Sequence, residues 1–260
     1  MAAQRQPPRA ARAPREAARR EAAPRGTPRS RPLRARPLPA APDADAPPRG
    51  ADVTREKLLA AAHDLLYERM GGAASISEIC ARADVNVAMV KYCFGSKDGL
   101  LDALLERVLA HLTGEIRHLA DLDLPPGEKL RRHVAAIVHN YVRYPYVNRL
   151  MNERLMSMEP DAVDRLGSIF AVPARDWYAQ LLRDGEKAEG WRPIDPTLFF
   201  FTVVGVCEFL FAGRALLERG FDERMDAELV ERFSAHATEL VTNGVARSSA
   251  PPRARRSRAR

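Results

Sequence analysis

From residue 54 to residue 243, large apolar side chains recur at intervals of three and four, and no stretch alternates convincingly between apolar and polar. That spacing stacks them on one face of successive helices, with a period of 3.6 rather than 2. The expected fold is therefore all-α. Breaks at Gly71-Gly72, Gly95-Ser96, Pro125-Pro126, Pro145, Pro160, 190–193 and Gly220 cut the pattern into segments. The first helix is expected from Thr54, read as its N-cap, to Arg69, with Leu58, Leu59, Ala62, Leu65 and Leu66 inward. Short helices follow over Ser77–Ala83 and from about Val87 to Cys93. A long fourth helix begins after Ser96 and continues to about Leu122. Further helices are expected over 128–144, 146–158, 161–189, 195–219 and 225–243. The change from short to long helices predicts a three-helix N-terminal domain joined through the fourth helix to a larger helical one.

Charge is unevenly distributed along this chain. Residues 1–50 carry twelve arginines against four acids, and residues 247–260 carry six arginines and no acid. With a total of +7, the central 196 residues are left at −7. The first fifty residues also hold eleven prolines and almost no large apolar side chain, too little to offset the entropy of ordering. The domains expected are a disordered arm over 1–50, a module of short helices over 51–105, a larger helical domain over 106–246, and a disordered basic tail over 247–260. Cys80, Cys93 and Cys207 form no CxxC pair, which fits reduced thiols in a cytoplasmic chain. No two histidines lie three or four residues apart, so no metal is expected, and no cofactor. The longest apolar run, Leu198–Ala212, contains Glu208 and is too short for a bilayer, so no membrane partner is expected.

The segment from Ser75 to Leu100 carries the functional signal. Ile76, Ile79, Ala83, Val85, Val90 and Phe94 are spaced to pack two short helices against the first. Between them, Asp84 can take the left-handed turn conformation and Asn86 can cap the next helix. Two short helices joined in this way place the second one in a major groove. Its outward positions are Val87, Ala88, Met89, Lys91 and Tyr92.

Over residues 52–105 the chain resembles the TetR family of bacterial regulators. The resemblance rests on Ala81-Arg82-Ala83-x-Val85 and on the aromatic-Gly-Ser-Lys-acidic-x-Leu run from Phe94 to Leu100. Asp84 stands where the family most often has glycine. Lys91 and Cys93 replace the two tyrosines of its Tyr-x-Tyr-Phe signature, with Tyr92 between them. The resemblance implies phosphate contacts at Thr54, Arg55 and Lys97, all at helix N-termini, where free N–H groups face anions. Thr54 serves equally well as a simple cap. Ser77 and Asn86, at the starts of the second and third helices, join this candidate set. Val87, Ala88 and Met89 offer contact to thymine methyl groups or simply permit close approach. Residues 51–100 hold six basic and seven acidic side chains, so the arginine arm either adds phosphate contacts or is a solvated extension.

In the larger domain, Tyr141, Asn148, Met151, Asn152, Trp177, Tyr178, Phe201 and Glu208 are candidate ligand contacts on mostly apolar helices, each also readable as core or surface. The helix at 195–219 has apolar residues around most of its circumference and must be buried on several sides. The resemblance implies that it and 225–243 form a homodimer interface, setting two recognition helices one DNA turn apart on a palindrome. The expected function is a ligand-responsive regulator, most often a repressor, binding double-stranded DNA and released by a small apolar or amphipathic effector. A sequence-tolerant architectural DNA binder using its arginine tails is the alternative. No nucleophile elbow, P-loop or dinucleotide-binding glycine pattern is present, so an enzyme is not expected.

Overall fold

Gly50–Glu68 forms α1 in the computed structural model, which describes residues 37–40 and 50–247. The N-terminal module continues with α2 (Ile76–Ala83) and α3 (Ala88–Phe94), and α4 (Lys97–Asp121) leads away from it. The larger part comprises α5 (Pro126–Arg143), α6 (Val147–Ser157), α7 (Pro160–Leu166), α8 (Val172–Glu189), α9 (Pro196–Ala212), α10 (Arg214–Gly220) and α11 (Ala227–Val245). Among the described residues there is no strand. The rest of the 1–50 arm and the tail after Arg247 lie outside the described residues.

Local chemistry explains where the elements start. Thr54 is not a cap. The α1 helix begins four residues earlier, and the Thr54 hydroxyl donates back to the Gly50 carbonyl at 3.1 Å. Ser75, not Ser77, begins α2: its hydroxyl accepts from Glu78 N, while the Glu78 carboxylate accepts from Ser75 N at 2.8 Å. This reciprocal capping box satisfies two otherwise free N–H donors. Asp84 adopts the left-handed conformation, φ 53°. Asn86 Oδ1 accepts from Ala88 N at 2.8 Å, so the expected cap is made although Val87 is the residue flanking the helix. Ser96 caps α4 by accepting from Gly99 N.

Two helices expected to be continuous are broken. The 161–189 stretch is α7 and α8 joined by a π-helical turn over Gly167–Ala171. Pro173 has no N–H to give the carbonyl four residues back, and the buried Thr113 hydroxyl of α4 donates to that Ile169 oxygen at 2.8 Å instead. The 195–219 stretch turns at Gly213 into α9 and α10, bent by 52°. Among the described residues no single helix is long and apolar enough to cross a membrane; α9 and α10 reach that composition only as this bent pair.

Two apolar cores result among the described residues. The first joins Leu58, Leu59, Leu66, Ile79, Val90, Leu100, Leu104 and Leu105 to Tyr144, Tyr146 and Leu150, with Leu38 half-buried against it. It does not stop at residue 105, because Val108 and Leu109 further along α4 belong to it too. Each leucine fully buried here stabilises by about 1.5–3 kcal/mol. Within this core His63 Nδ1 lies 2.7 Å from the Tyr146 hydroxyl, linking α1 to the α5–α6 turn. The second core gathers Leu130, Val134, Val138, Tyr178, Leu181, Phe199, Val203, Cys207, Ala237 and Val241 from α5, α8, α9 and α11.

Candidate functional site

The α3 helix stands on a rigid base. Arg69 on the chain after α1 forks onto Glu78 of α2, and Arg82 of α2 forks onto Glu68 of α1. The Arg69 guanidinium, then the Ser75 backbone N–H and hydroxyl, hold the Glu78 carboxyl at about 2. At the other end of α3, Gly95 takes φ 75°. A Cβ on Gly99 would run into the Phe94 carbonyl oxygen, so glycine permits the close approach of α3 to α4.

The outward residues of this module differ in what they offer. Tyr92 is 74% exposed and Val87 52% exposed, and Ala88, Lys91 and Ser77 are also exposed. Met89 is half-buried and packs against the first core. Lys97, at the start of α4, and Thr54, one turn into α1, are half-buried. Arg55 lies with its guanidinium carbon 4.9 Å from the centroid of the Phe94 ring, a cation–π contact that pins the start of α1 to the end of α3. The next residue of α1, Glu56, forks onto the buried Arg107 of α4, whose hydrogen bond lowers the Glu56 pKa.

Behind this module α4, α5, α6, α8 and α9 enclose a cavity of about 270 Å³. Its lining brings together Tyr141, Asn148, Met151, Asn152, Tyr178, Phe201 and Glu208. Trp177 is not part of that lining; it packs edge-on against His133, with ring centroids 4.5 Å apart. The sequence reading missed His133, Asn140, Glu115 and Phe200, which do line it. A signal existed for His133: on α5 it lies two helical turns before Tyr141, with Ile137 between them on the same face. His139 sits off that face and bonds instead to Ala135 O at 2.7 Å and Glu231 at 3.0 Å.

Polar groups in this cavity have settled partners. His133 Nε2 lies 2.8 Å from the Tyr178 hydroxyl, and burial pushes the imidazole down to about 3, so it is neutral at pH 7. Burial, with Glu208 and Cys207 nearby, raises the Tyr141 phenol above its ordinary value. Glu208 accepts from the Asn148 amide at 2.8 Å and more distantly from Asn152 at 3.4 Å. An adjoining cleft of about 770 Å³ shares Tyr141, Asn148 and Asn152 with the cavity and reaches Arg69 and Gly71 of the N-terminal module.

On its other faces α6 is tied to that module. Arg149 Nε donates to Gly71 O at 2.6 Å, and Arg154 pairs with Asp102 at 2.5 Å and Asp98 at 3.7 Å near the start of α4. Glu153 pairs with Arg149 one turn earlier on the same helix. The α9 helix exposes Leu198 and Phe209 at 68% and 70%, and Phe201, which also lines the cavity, at 67%; α11 exposes Leu240 at 53%.

Residues 58–104 match the model for bacterial regulatory proteins of the tetR family, and residues 123–250 the model for tetracyclin repressor-like C-terminal domains. An HTH-type transcriptional repressor of Mycobacterium tuberculosis is 37% identical over 149 residues, covering 52% of this chain and 79% of the relative. The HTH-type transcriptional repressor NicS of Pseudomonas putida is 36% identical over 107 residues, 40% of this chain and 50% of its own. In structure the chain is similar to a tetR-family regulatory protein of Rhodococcus, with TM-score 0.57, 19% identity and coverage of 74% and 97%. Bacillus subtilis FadR in complex with stearoyl-CoA gives TM-score 0.57, 14% identity and coverage of 73% and 98%. The chain belongs to the TetR family of bacterial transcriptional regulators, which bind DNA through this kind of N-terminal helix-turn-helix.

Proposed function

We propose that two copies of this chain bind a palindromic operator through α3, repress transcription there, and release it when a small molecule occupies the cavity between α4, α5, α6, α8 and α9. The observation that carries this reading is α6, which lies between cavity and DNA-facing module. One side of it offers Asn148 and Asn152 to Glu208 in the cavity, and Arg149 and Arg154 hold the module. A ligand that displaces the amides from Glu208 therefore has a direct lever on the start of α4, a differential contact of the kind a switch needs. The solved complex of FadR with stearoyl-CoA supports an effector site in this fold.

In this reading residues 51–105 are the DNA-binding module and 106–246 the effector and dimer domain. Val87, Ala88, Lys91 and Tyr92 meet the major groove, with Met89 reaching it by its exposed part. Thr54, Arg55, Ser77, Asn86 and Lys97 flank it toward phosphates. The exposed Leu198, Phe209 and Leu240 face the second copy, since an apolar surface of this kind marks an interface. Two-fold pairing spaces the α3 helices about 34–36 Å apart.

Footprinting of the full chain on selected DNA tests this. Two protected half-sites about one turn apart are expected, surviving moderate salt and lost on adding effector. Phe209→Asp should yield a monomer in sedimentation and lose the symmetric footprint. Protection without two-fold symmetry would overturn the dimeric operator reading. Binding that tolerates any sequence and vanishes with moderate salt would instead mark an architectural binder.

A further inference from the structure

Among the described residues the cavity wall holds two carboxylates, Glu115 and Glu208, and neither lysine nor arginine. Glu115 is already balanced: Arg143 lies 3.1 Å and His111 3.3 Å from the same carboxylate oxygen, and Asn140 donates to the other. Glu208 is different. Its hydrogen-bond partners are the side-chain amides of Asn148 and Asn152, both on Oε1, which donate hydrogen bonds but bring no positive charge. Among the described residues no lysine, arginine or histidine pairs with it. His133, the cavity's imidazole, is kept neutral by burial. The chain thus places one charge-uncompensated carboxylate in an otherwise mostly apolar cavity.

We propose that the effector is a cation: an apolar body carrying a protonated amine, with the ammonium received by Glu208. This rests on the reading of the cavity as the effector site. Half-buried beside mostly apolar walls, the Glu208 carboxylate is less screened than in open water, so an opposite charge is attracted and a like charge repelled more strongly there. An ammonium has three donors and can satisfy Oε1 and Oε2 together, replacing both amides and adding the missing charge. An uncharged ligand gains only the apolar contact. A carboxylate ligand faces Glu208 and Glu115 with no fixed cation in the lining to meet it. The aromatic side chains of Tyr141 and Phe201 in the same lining add attraction for a cation placed over a ring face.

Calorimetry on the full chain without DNA reads this directly, with three probes of one apolar shape: decylammonium, decanol and decanoate at pH 7. The expected order is decylammonium tightest by about tenfold over decanol, with decanoate weakest. Glu208→Gln, checked for an unchanged circular-dichroism spectrum, should reduce the ratio of decylammonium to decanol affinity to within about threefold. Decanoate binding best would overturn the proposal, and so would a wild-type-like ratio in Glu208→Gln. Both results would leave the cavity as an effector site for another chemistry. No saturable heat from any probe would overturn the cation assignment and count against the effector reading as well.

Discussion

His133 allows a stability prediction whose size follows from its surroundings. Its ring is 6% exposed, bonded through Nε2 to the Tyr178 hydroxyl and packed against Trp177. Burial lowers its pKa from 6.5 to about 3. As pH falls below 6.5, the unfolded chain takes up a proton that the folded chain refuses. Stability therefore drops with falling pH, by about 1.4 kcal/mol per unit, across a window closing near pH 3. Between pH 7 and pH 4.5 the loss from this one group comes to about 2–3 kcal/mol. His133→Gln retains a side chain able to bond Tyr178 but cannot titrate. Urea unfolding of both proteins at one fixed concentration, at pH 7 and pH 4.5, isolates the effect, because every other titrating group is shared and cancels. The wild type should lose about 2–3 kcal/mol more than His133→Gln over that interval. Equal losses in the two proteins would refute the neutral, buried imidazole.

Ser75→Ala removes the hydroxyl half of the α2 capping box and should cost about 1 kcal/mol, read as a lower Tm. Because the Glu78 carboxyl is held at about 2, the box's contribution is present above pH 4.5 and disappears as pH falls toward 2; Glu78→Gln should remove that part of the acid dependence. Gly99→Ala pushes a Cβ into the Phe94 carbonyl and should destabilise by about 1–3 kcal/mol. It should also weaken operator binding by mis-setting α3 on α4; an unchanged Tm would contradict the close approach described for Gly99. Tyr92→Ala, at a position 74% exposed, should leave stability unchanged within about 0.5 kcal/mol while operator affinity falls about tenfold. Lys91→Ala should lower the slope of log affinity against log salt by about 1 if its ammonium neutralises one phosphate.

Much of the N-terminal module was legible in the sequence because its determinants are local. The stripe of Leu58, Leu59, Leu65 and Leu66, the left-handed Asp84, the Asn86 bond to Ala88 and the start of α4 after Ser96 depend on neighbours a few residues away. Even the misplaced boundaries had local signals: Ser75-x-x-Glu78 is a capping pattern, and Pro173 marks where a long helix must change its bonding. The reading of Thr54 as a cap went wrong because a threonine hydroxyl can also bond backward within a helix.

Residue type and helical spacing by themselves determined that this chain is all-α, that its first three helices form a helix-turn-helix, and that polar residues sit on apolar helices behind it. Only the tertiary structure decided which of those residues meet. It gathered seven of the named residues around one cavity, left Trp177 outside, and added His133 and Glu115. It also set Arg107 of α4 on Glu56 across 51 positions and Asn148 on Glu208 across 60. The physical reason is range. Caps, turns and helical faces are fixed by bonds spanning a few residues, whereas the charge balance of a cavity depends on which distant helices pack together and on which carboxylate finds a cation within reach.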